Sequence, residues 1–291
     1  MINAERTSPI IYRYLGSHWY ETLRDAEFLA SSPNKFNDLF DCSALATGSV
    51  PDGEVEKYLT EHDWISVFSK ISREKGFPIV DTTLNILNSG YINRDTLNID
   101  ERLKNSLKNR TPLSKAWRIV CFSESPTNSA ERLRTEKRMW NRYSDKNRGV
   151  RIGVDFSRCS REINSGILGK VVYSDNGAVV NLDNALLEPK IILNYSAIVL
   201  TKKKAWEREN EIRLITTPKF CRVGLDSRAG DELCFWSFNR EIVREVCLGT
   251  RFPKNQIKGL VKMIRRLYPK DVNIFQAKKP TLTGGYQYDV L

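Results

Sequence analysis

The segment with the clearest chemical potential is a run of acidic residues at alternate positions within residues 206–215. Glu207, Glu209 and Glu211 are followed in the same register by Arg213. Successive side chains of a strand point to opposite faces, so the pattern predicts that Glu209, Glu211 and Arg213 line one side of a sheet. Like charges held side by side raise the free energy of that surface, and chemistry on an electron-poor substrate is one reason to keep them. The alternative is a solvated edge strand.

The bulk composition favours a folded protein with a polyanionic partner. The chain has 291 residues, of which 41% are hydrophobic and 10% aromatic, enough for a substantial core. Lys and Arg total 46 against 35 Asp and Glu, a formal charge of +11. A basic surplus attracts nucleic acid, a phosphate-bearing cofactor or an acidic protein, so we expect a partner from one of these classes.

The cysteines and histidines argue against several kinds of site. None of the six cysteines forms a Cys-x-x-Cys pair, and the chain has only two histidines, His18 and His62. A zinc site, a secreted disulfide scaffold and a histidine-based catalytic triad are therefore not expected. No apolar run approaches ~18 residues and the first residues do not resemble a signal peptide, so we expect a cytoplasmic protein without membrane contact.

Local patterns predict one α+β domain over residues 1–291 with a helical insertion at about 51–112. In the insertion the composition is polar and apolar residues recur at helical spacing. Elsewhere, β-type patterns predict strands at residues 10–15, 27–31, 117–123, 149–156, 168–173, 206–215, 220–223, 242–248 and 272–276. Helical patterns predict helices at residues 19–25, 129–143, 189–203 and 257–267.

Polar and aromatic residues cluster at the ends of several predicted elements. In the first strand Arg13 lies between Tyr12 and Tyr14, so it points away from both. It can then reach a phosphate or a ribose while the tyrosines pack. The alternative is an exposed arginine on a half-buried strand.

The other clusters have simple explanations when each is taken alone. In the turn at residues 31–38, side-chain caps would account for Asn37 and Asp38. Ser123 belongs to a strand that runs into the start of a helix. Trp140 and Tyr143 lie on the predicted helix 129–143, where packing is the expected role of each.

Taken together, the clusters resemble a widespread bacterial family long labelled a domain of unknown function. Its motifs, in order, are a Tyr-Lys/Arg-Tyr first strand, a Phe-Asn-Asp turn, a Cys-Phe-Ser strand, a Met-Trp-x-x-Tyr helix followed by Gly-Val, and Trp-x-x-Glu-x-Glu-x-Arg. In this chain they lie at residues 12–14, 36–38, 121–123, 139–150 and 206–213. The resemblance covers most of the chain outside the insertion. Arg142 stands where the family usually has histidine.

The layout is also similar to that of the ADP-ribosyltransferase superfamily, which implies a split mixed β-sheet core with a helical insertion. Those enzymes carry an Arg or His on the first core strand, as at Arg13, and a Glu that begins a late strand, often as the Glu-x-Glu formed here by Glu209 and Glu211. Their second motif carries Ser or Tyr, and the competing matches are Ser31, Ser123 and Tyr143.

This second resemblance implies an enzyme that uses NAD as a co-substrate. Cleavage of the nicotinamide–ribose bond builds oxocarbenium character on the sugar, and a carboxylate facing that charge stabilises the transition state. Glu211 would take this role and Glu209 would orient the acceptor. Arg13 would hold the ribose or pyrophosphate and Tyr143 would stack on nicotinamide. The other cofactor-binding candidates are Tyr12, Tyr14, Ser31, Asn37, Ser123 and Trp140, and no metal is expected.

By the same resemblance the protein would be a bacterial toxin or an effector of anti-phage defence. Its acceptor would be RNA, DNA or a protein, and a toxin would need an antitoxin partner. Two other classes fit the residues. One is a non-catalytic nucleic-acid-binding module. The other is a metal-dependent nuclease that uses Glu209 and Glu211 with Asp38 or Asp155.

Overall fold

A computed structural model describes most of the chain outside the predicted insertion. The described residues are 10–36, 38, 41–42, 44–47, 117–158, 166–176, 178–181, 198–225, 232–278, 280 and 286–291. The helical insertion predicted at 51–112 and the candidate Asn37 lie outside them.

Strands make up most of the regular structure. They are β1 (Ile11–Leu15), β2 (Glu27–Ala30), β3 (Ala44–Thr47), β4 (Arg118–Glu124), β5 (Val150–Val154), β6 (Gly166–Lys170), β7 (Val172–Ser174), β8 (Ala178–Asn181), β9 (Thr201–Lys203), β10 (Glu211–Thr216), β11 (Cys221–Leu225), β12 (Glu232–Ser237), β13 (Val243–Leu248), β14 (Asn273–Lys278) and β15 (Gln287–Val290). The longer helices of the described part are α1 (Trp19–Asp25), α2 (Ser129–Tyr143) and α3 (Lys254–Leu267).

The central element is an eight-stranded sheet with the order β15-β14-β13-β5-β1-β4-β10-β6. Its neighbours are antiparallel except β13 and β14, which are parallel. A smaller sheet has the order β11-β12-β2, and two pairs, β3-β8 and β7-β9, complete the described strands. The mixed α+β class predicted from the sequence is confirmed. Because β10 lies between β4 and β6 and is buried along its whole length, the edge-strand alternative is wrong.

The two faces of the large sheet are covered differently. On one face α3 buries Leu260, Met263 and Ile264, which recur at helical spacing, in the main apolar core. On the other face α2 buries Met139 and Trp140 beside Tyr14 of β1. Asn128 caps the start of α2, and its side-chain oxygen accepts hydrogen bonds from two backbone N–H groups of the first turn. Tyr14 and Met139 of this smaller cluster also line a cavity.

The pairing between the central strands β1 and β4 stops after two residue pairs. Ile11 pairs with Glu124 and Tyr12 with Ser123, and no further pair follows between these strands. On their other sides, β1 pairs with β5 along its whole length and β4 pairs with β10. A gap therefore opens between the two strands.

Other groups complete the hydrogen bonding of β4 along this gap. The backbone of Ser31, just after β2, exchanges two hydrogen bonds with Ile119, of 2.8 and 2.9 Å. Between these two regions the Arg13 guanidinium donates to the carbonyl oxygen of Cys121 at 2.5 Å. Arg13 thus replaces a missing strand-to-strand contact.

Several predicted boundaries need correction. The strand predicted at 206–215 is a 3₁₀ turn at Lys204–Glu209 followed by β10, because Asn210 adopts a left-handed conformation with φ 44° and breaks the extended chain. Of the helix predicted at 189–203, residues 189–197 lie outside the described residues, and its last three residues form β9, which pairs in parallel with β7. The strand predicted at 168–173 is divided into β6 and β7, and β15 follows the strand predicted to be last.

Gly149, part of the Gly-Val motif, provides a test of this fold. A Cβ there would lie 1.8 Å from the Leu15 carbonyl oxygen, whereas a Cβ at Gly259 in α3 would meet no atom within 4 Å. Gly149→Ala should therefore lower the free energy of unfolding by about 1–3 kcal/mol or more. Gly259→Ala should raise it by up to about 1 kcal/mol through helix propensity. Urea denaturation measures both, and an unchanged Gly149→Ala midpoint would contradict the close approach.

Candidate functional site

A cavity of about 250 Å³ lies beside the gap between β1 and β4. Its walls come from β1, β4, the segment after β2, helix α2, and the 3₁₀ turn that precedes β10. Side chains of opposite charge and several aromatic rings face it together.

The turn at Asn210 directs two acidic side chains into this cavity. The backbone oxygen of Asn210 accepts a hydrogen bond from the N–H of Glu124 at 2.8 Å, and its side chain donates to the Glu124 carbonyl at 2.9 Å. Glu209 is the last residue of the 3₁₀ turn and Glu211 is the first residue of β10. Both carboxylates line the cavity and both are buried, with exposed fractions of 2% and 4%.

Below the cavity, Arg213 is completely buried and bonded to two carboxylates. Its terminal nitrogens each donate to Asp41 at 2.8 Å, which forms a bidentate pair. Its Nε donates to Glu211 Oε1 at 2.8 Å, and it also donates to the carbonyl oxygen of Val199. Asp41 and Glu211 are thereby fixed on either side of one guanidinium.

Lys202 connects Glu209 to these ionic contacts. Its ammonium group donates to Glu209 Oε2 and to Glu211 Oε2, both at 2.9 Å, and lies 3.7 Å from Asp41. Three carboxylates therefore surround these two buried cations, and the Nε atom of the partly exposed Arg138 lies 3.8 Å from Glu209 Oε1. We refer to Asp41, Lys202, Glu209, Glu211 and Arg213 as the buried ionic network.

The protonation states follow from these contacts. Burial by itself would raise the pKa of Glu211, but the charges of Arg213 and Lys202 outweigh it and lower this pKa to about 2. Burial would likewise lower the pKa of Lys202, yet Glu211 and Glu209 raise it above its ordinary value. At neutral pH Glu211 is ionised and Lys202 is protonated.

Tyr143 and Trp206 form the aromatic part of the site. The Tyr143 hydroxyl donates to Glu209 Oε1 at 2.7 Å, and burial together with the Glu209 charge raises the pKa of Tyr143. The Trp206 ring has Lys202 at 4.8 Å from its centre and the Arg142 guanidinium at 4.1 Å. Arg138 is also close, at 5.5 Å from the ring. Trp206 thus lies between Lys202 and Arg142, while Arg138 also reaches Glu209, with 3.8 Å between its Nε atom and Glu209 Oε1.

Most of the predicted site residues converge on the cavity, although they come from distant parts of the sequence. The cavity is lined by Tyr12, Arg13, Tyr14, Ser31, Tyr143, Glu209 and Glu211. Of the competing matches for the second motif, Ser31 and Tyr143 line the cavity. Glu207, the first acidic residue of the alternating run, is exposed and does not line it.

Two predicted residues lie behind the cavity instead. The Ser123 hydroxyl is buried and donates to the backbone oxygen of Glu209 at 2.7 Å, so it helps to fix the position of that residue. Trp140 is fully buried and packs edge-on against Tyr14, with ring centres 5.2 Å apart. Of the nuclease candidates, Asp38 lines the cavity, whereas Asp155 accepts hydrogen bonds from Ser157 in a turn.

Sequence reasoning missed Asp41 and Lys202. Lys202 begins a run of three lysines, which is typical of a solvated surface, and Asp41 lies after a turn already explained by its caps. The useful signal was Arg213, because an arginine inside an apolar strand pattern requires buried acids. The positions of those acids depend on tertiary structure.

A family model described as a protein of unknown function (DUF2971) matches residues 139–214. This range begins at the Met-Trp motif of α2 and ends just after Arg213. The predicted resemblance to a domain of unknown function is confirmed over this part of the chain, and the resemblance to ADP-ribosyltransferases stays a prediction. No curated protein and no solved structure matches the chain.

Within the described residues, no group of three or more His, Cys, Asp or Glu side chains is arranged to hold a metal ion. Glu209 and Glu211 are instead bonded to cationic side chains. In the same part of the chain no helix combines the length and apolarity needed to cross a bilayer.

The buried ionic network can be tested through Arg213. Arg213→Met leaves two carboxylates buried without their main partner, so we expect a loss of about 3–5 kcal/mol in the free energy of unfolding. The control is Arg24→Met, which breaks an exposed 2.7 Å pair with Asp25 and should leave the unfolding midpoint unchanged. Equal effects of the two variants in urea denaturation would contradict the described network.

Glu211 also predicts a dependence of stability on pH. Its folded-state pKa of about 2 is below the ordinary 4.5, so its contribution is complete above pH 4.5 and is lost as the pH falls toward 2. The stability advantage of the wild type over Glu211→Gln should therefore shrink between about pH 5 and about pH 3. Urea denaturation at several pH values measures this difference, and a constant difference would show that Glu211 is not held ionised by its partners.

Proposed function

We propose that the protein is an NAD-dependent ADP-ribosyltransferase whose cavity takes the nicotinamide–ribose end of the co-substrate. The observation that carries the proposal is the convergence of Arg13, Tyr143, Glu209 and Glu211 on one cavity. Arg13 lies on the first strand and Glu211 begins a late strand, the positions that the resemblance to these enzymes implies, while Tyr143 ends helix α2.

The size of the cavity supports partial insertion of the dinucleotide. Its volume of about 250 Å³ lies below the range of about 300–1,000 Å³ that holds drug-sized ligands. The nicotinamide ring and its ribose would enter beside Tyr143, with the ribose facing the two glutamates. The ADP part would extend outward over Trp206, where Arg138 and Arg142 lie beside the ring and can meet phosphates.

The charge of the site favours the proposed transition state. When the bond between ribose C1′ and the nicotinamide nitrogen breaks, the nitrogen keeps the electron pair and positive charge develops on the sugar. The buried ionic network presents an ionised Glu211 carboxylate to the cavity, because the pKa of Glu211 is low. Since its carboxylates are held in place by Lys202 and Arg213, they need not reorganise as the charge appears.

The acceptor completes the reaction at the same carbon. Its nucleophilic atom forms the new bond to C1′ while its proton passes to a base, for which Glu209 is the candidate. Glu209 lies beside Tyr143, whose hydroxyl fixes one carboxylate oxygen. RNA, DNA and protein are the proposed acceptors, and an antitoxin partner accompanies the proposed role as a toxin or an effector of anti-phage defence. The formal charge of +11 favours the nucleic acids.

The proposal is tested by release of nicotinamide from NAD in the presence of cellular RNA, DNA or protein. Glu211→Gln should reduce the rate by about 100- to 1,000-fold because it removes a charge that stabilises the transition state. Tyr143→Phe should give a smaller loss, because it removes only the hydroxyl bonded to Glu209. Glu207→Gln, which changes an exposed acid in the same segment, is the matched control and should not alter the rate.

Loss of folding must be separated from loss of chemistry. Circular dichroism should show that Tyr143→Phe remains folded, so this variant keeps the test informative if Glu211→Gln is unstable. Absence of nicotinamide release with every acceptor, together with no rise in Tm on adding NAD, would contradict the proposal. Equal rates for Glu207→Gln and Glu211→Gln would contradict the role of Glu211.

A further inference from the structure

Helix α3 carries a strongly basic outer face. Its sequence contains five cationic residues and no acidic residue, and all five are exposed. They are Lys254, Lys258, Lys262, Arg265 and Arg266. The three lysines are spaced four residues apart, so they form a row about 12 Å long on one side of the helix.

These charges are not neutralised by acidic neighbours in the described part of the chain. No ion pair there involves Lys254, Lys258, Lys262 or Arg266, and Arg265 donates to the carbonyl oxygen of Val272. Two other arginines of the described residues behave differently. Arg158 and Arg244 both pair with Asp271. The positive charges on the basic face of α3 are therefore available to an external partner.

The opposite side of α3 excludes a membrane as that partner. An amphipathic helix binds a bilayer by burying its apolar face in the lipid. The apolar face of α3 is already buried in the core through Leu260, Met263 and Ile264. Only the charged face is available, and charge complementarity points to a polyanion.

An aromatic groove runs along the edge of this basic face. It has a volume of about 370 Å³ and lies between α1 and α3, with Trp19 and Tyr20 on one side and Gly259 on the other. No atom lies within 4 Å of the position of a Cβ at Gly259, and Tyr20 is 45% exposed. Gly259 precedes Lys262 and Arg266 by three and seven residues, so all three share one side of the helix.

We propose that α3 and this groove bind a single-stranded nucleic acid, with phosphates along the lysine row and a base stacked on Tyr20. A row of cations beside an exposed aromatic ring is the arrangement that such strands require, because backbone charge and base stacking are both satisfied. The surface lies on the face of the large sheet opposite the α2 cavity. Nucleic-acid binding at α3 is therefore independent of NAD, and it is a function additional to the proposed transferase activity.

The test measures anisotropy of a fluorescein-labelled poly(U) or poly(dT) oligonucleotide as a function of salt, without NAD. The triple variant Lys254→Gln, Lys258→Gln, Lys262→Gln should reduce the slope of log K against log salt by about 2, since each phosphate contact of a single strand contributes about 0.7. The matched control removes the same charge from the exposed side of α2 through Arg132→Gln, Arg134→Gln and Lys137→Gln. It should leave the slope unchanged.

Tyr20 provides a second and independent readout. Tyr20→Ala should weaken binding about tenfold at fixed salt, whereas Tyr20→Phe should retain the affinity because it keeps the ring. Equal losses from the α3 and α2 triple variants would overturn the proposal, as would no binding of the wild type. Tighter binding to polyglutamate or to anionic vesicles than to the oligonucleotide would overturn it as well. Nicotinamide release from NAD alone is also measured for the α3 variant. This measurement distinguishes failure of nucleic-acid binding at α3 from failure of the transferase proposal.

Discussion

The burial of Arg213 is the interaction on which the site depends. A guanidinium without exposed surface is costly unless every donor finds an acceptor. The acceptors of Arg213 come from Asp41, Val199 and Glu211, and the first of these lies 172 residues away in sequence. Satisfying this one side chain therefore joins the segment after β2, the chain before β9 and the start of β10. Lys202 then bonds the same acids and brings in Glu209.

Such a network fixes geometry more than it adds stability. Buried ion pairs contribute little net free energy compared with apolar packing, although breaking one of them is strongly destabilising. All five charged residues of the network are buried and four of them line the cavity, so the network holds its carboxylates rigidly at that place. The gap between β1 and β4 gives the carboxylates a space to face, and Arg13 occupies its edge.

The sequence predicted the elements with strong local patterns and most of the residues that meet at the cavity. Helix α2 agrees with its predicted range, and Ile212 and Leu214 are buried on the face opposite Glu211, as strand alternation requires. The break at Asn210 was missed because a left-handed residue leaves no signal in a period-two pattern. Lys202 was missed because its burial depends on acids that tertiary structure brings together. Local patterns report which face is apolar, but not which polar groups will meet.

The two faces of the large sheet have separate chemical characters, with an ionic cavity under α2 and a basic surface on α3. The proposed binding of NAD in the cavity can be tested by an experimental structure of the protein with a non-hydrolysable NAD analogue. We expect the nicotinamide ring beside Tyr143, the ribose between Arg13 and Glu211, and the phosphates near Arg142. An analogue bound elsewhere, or a cavity that stays empty at saturating analogue, would contradict this account.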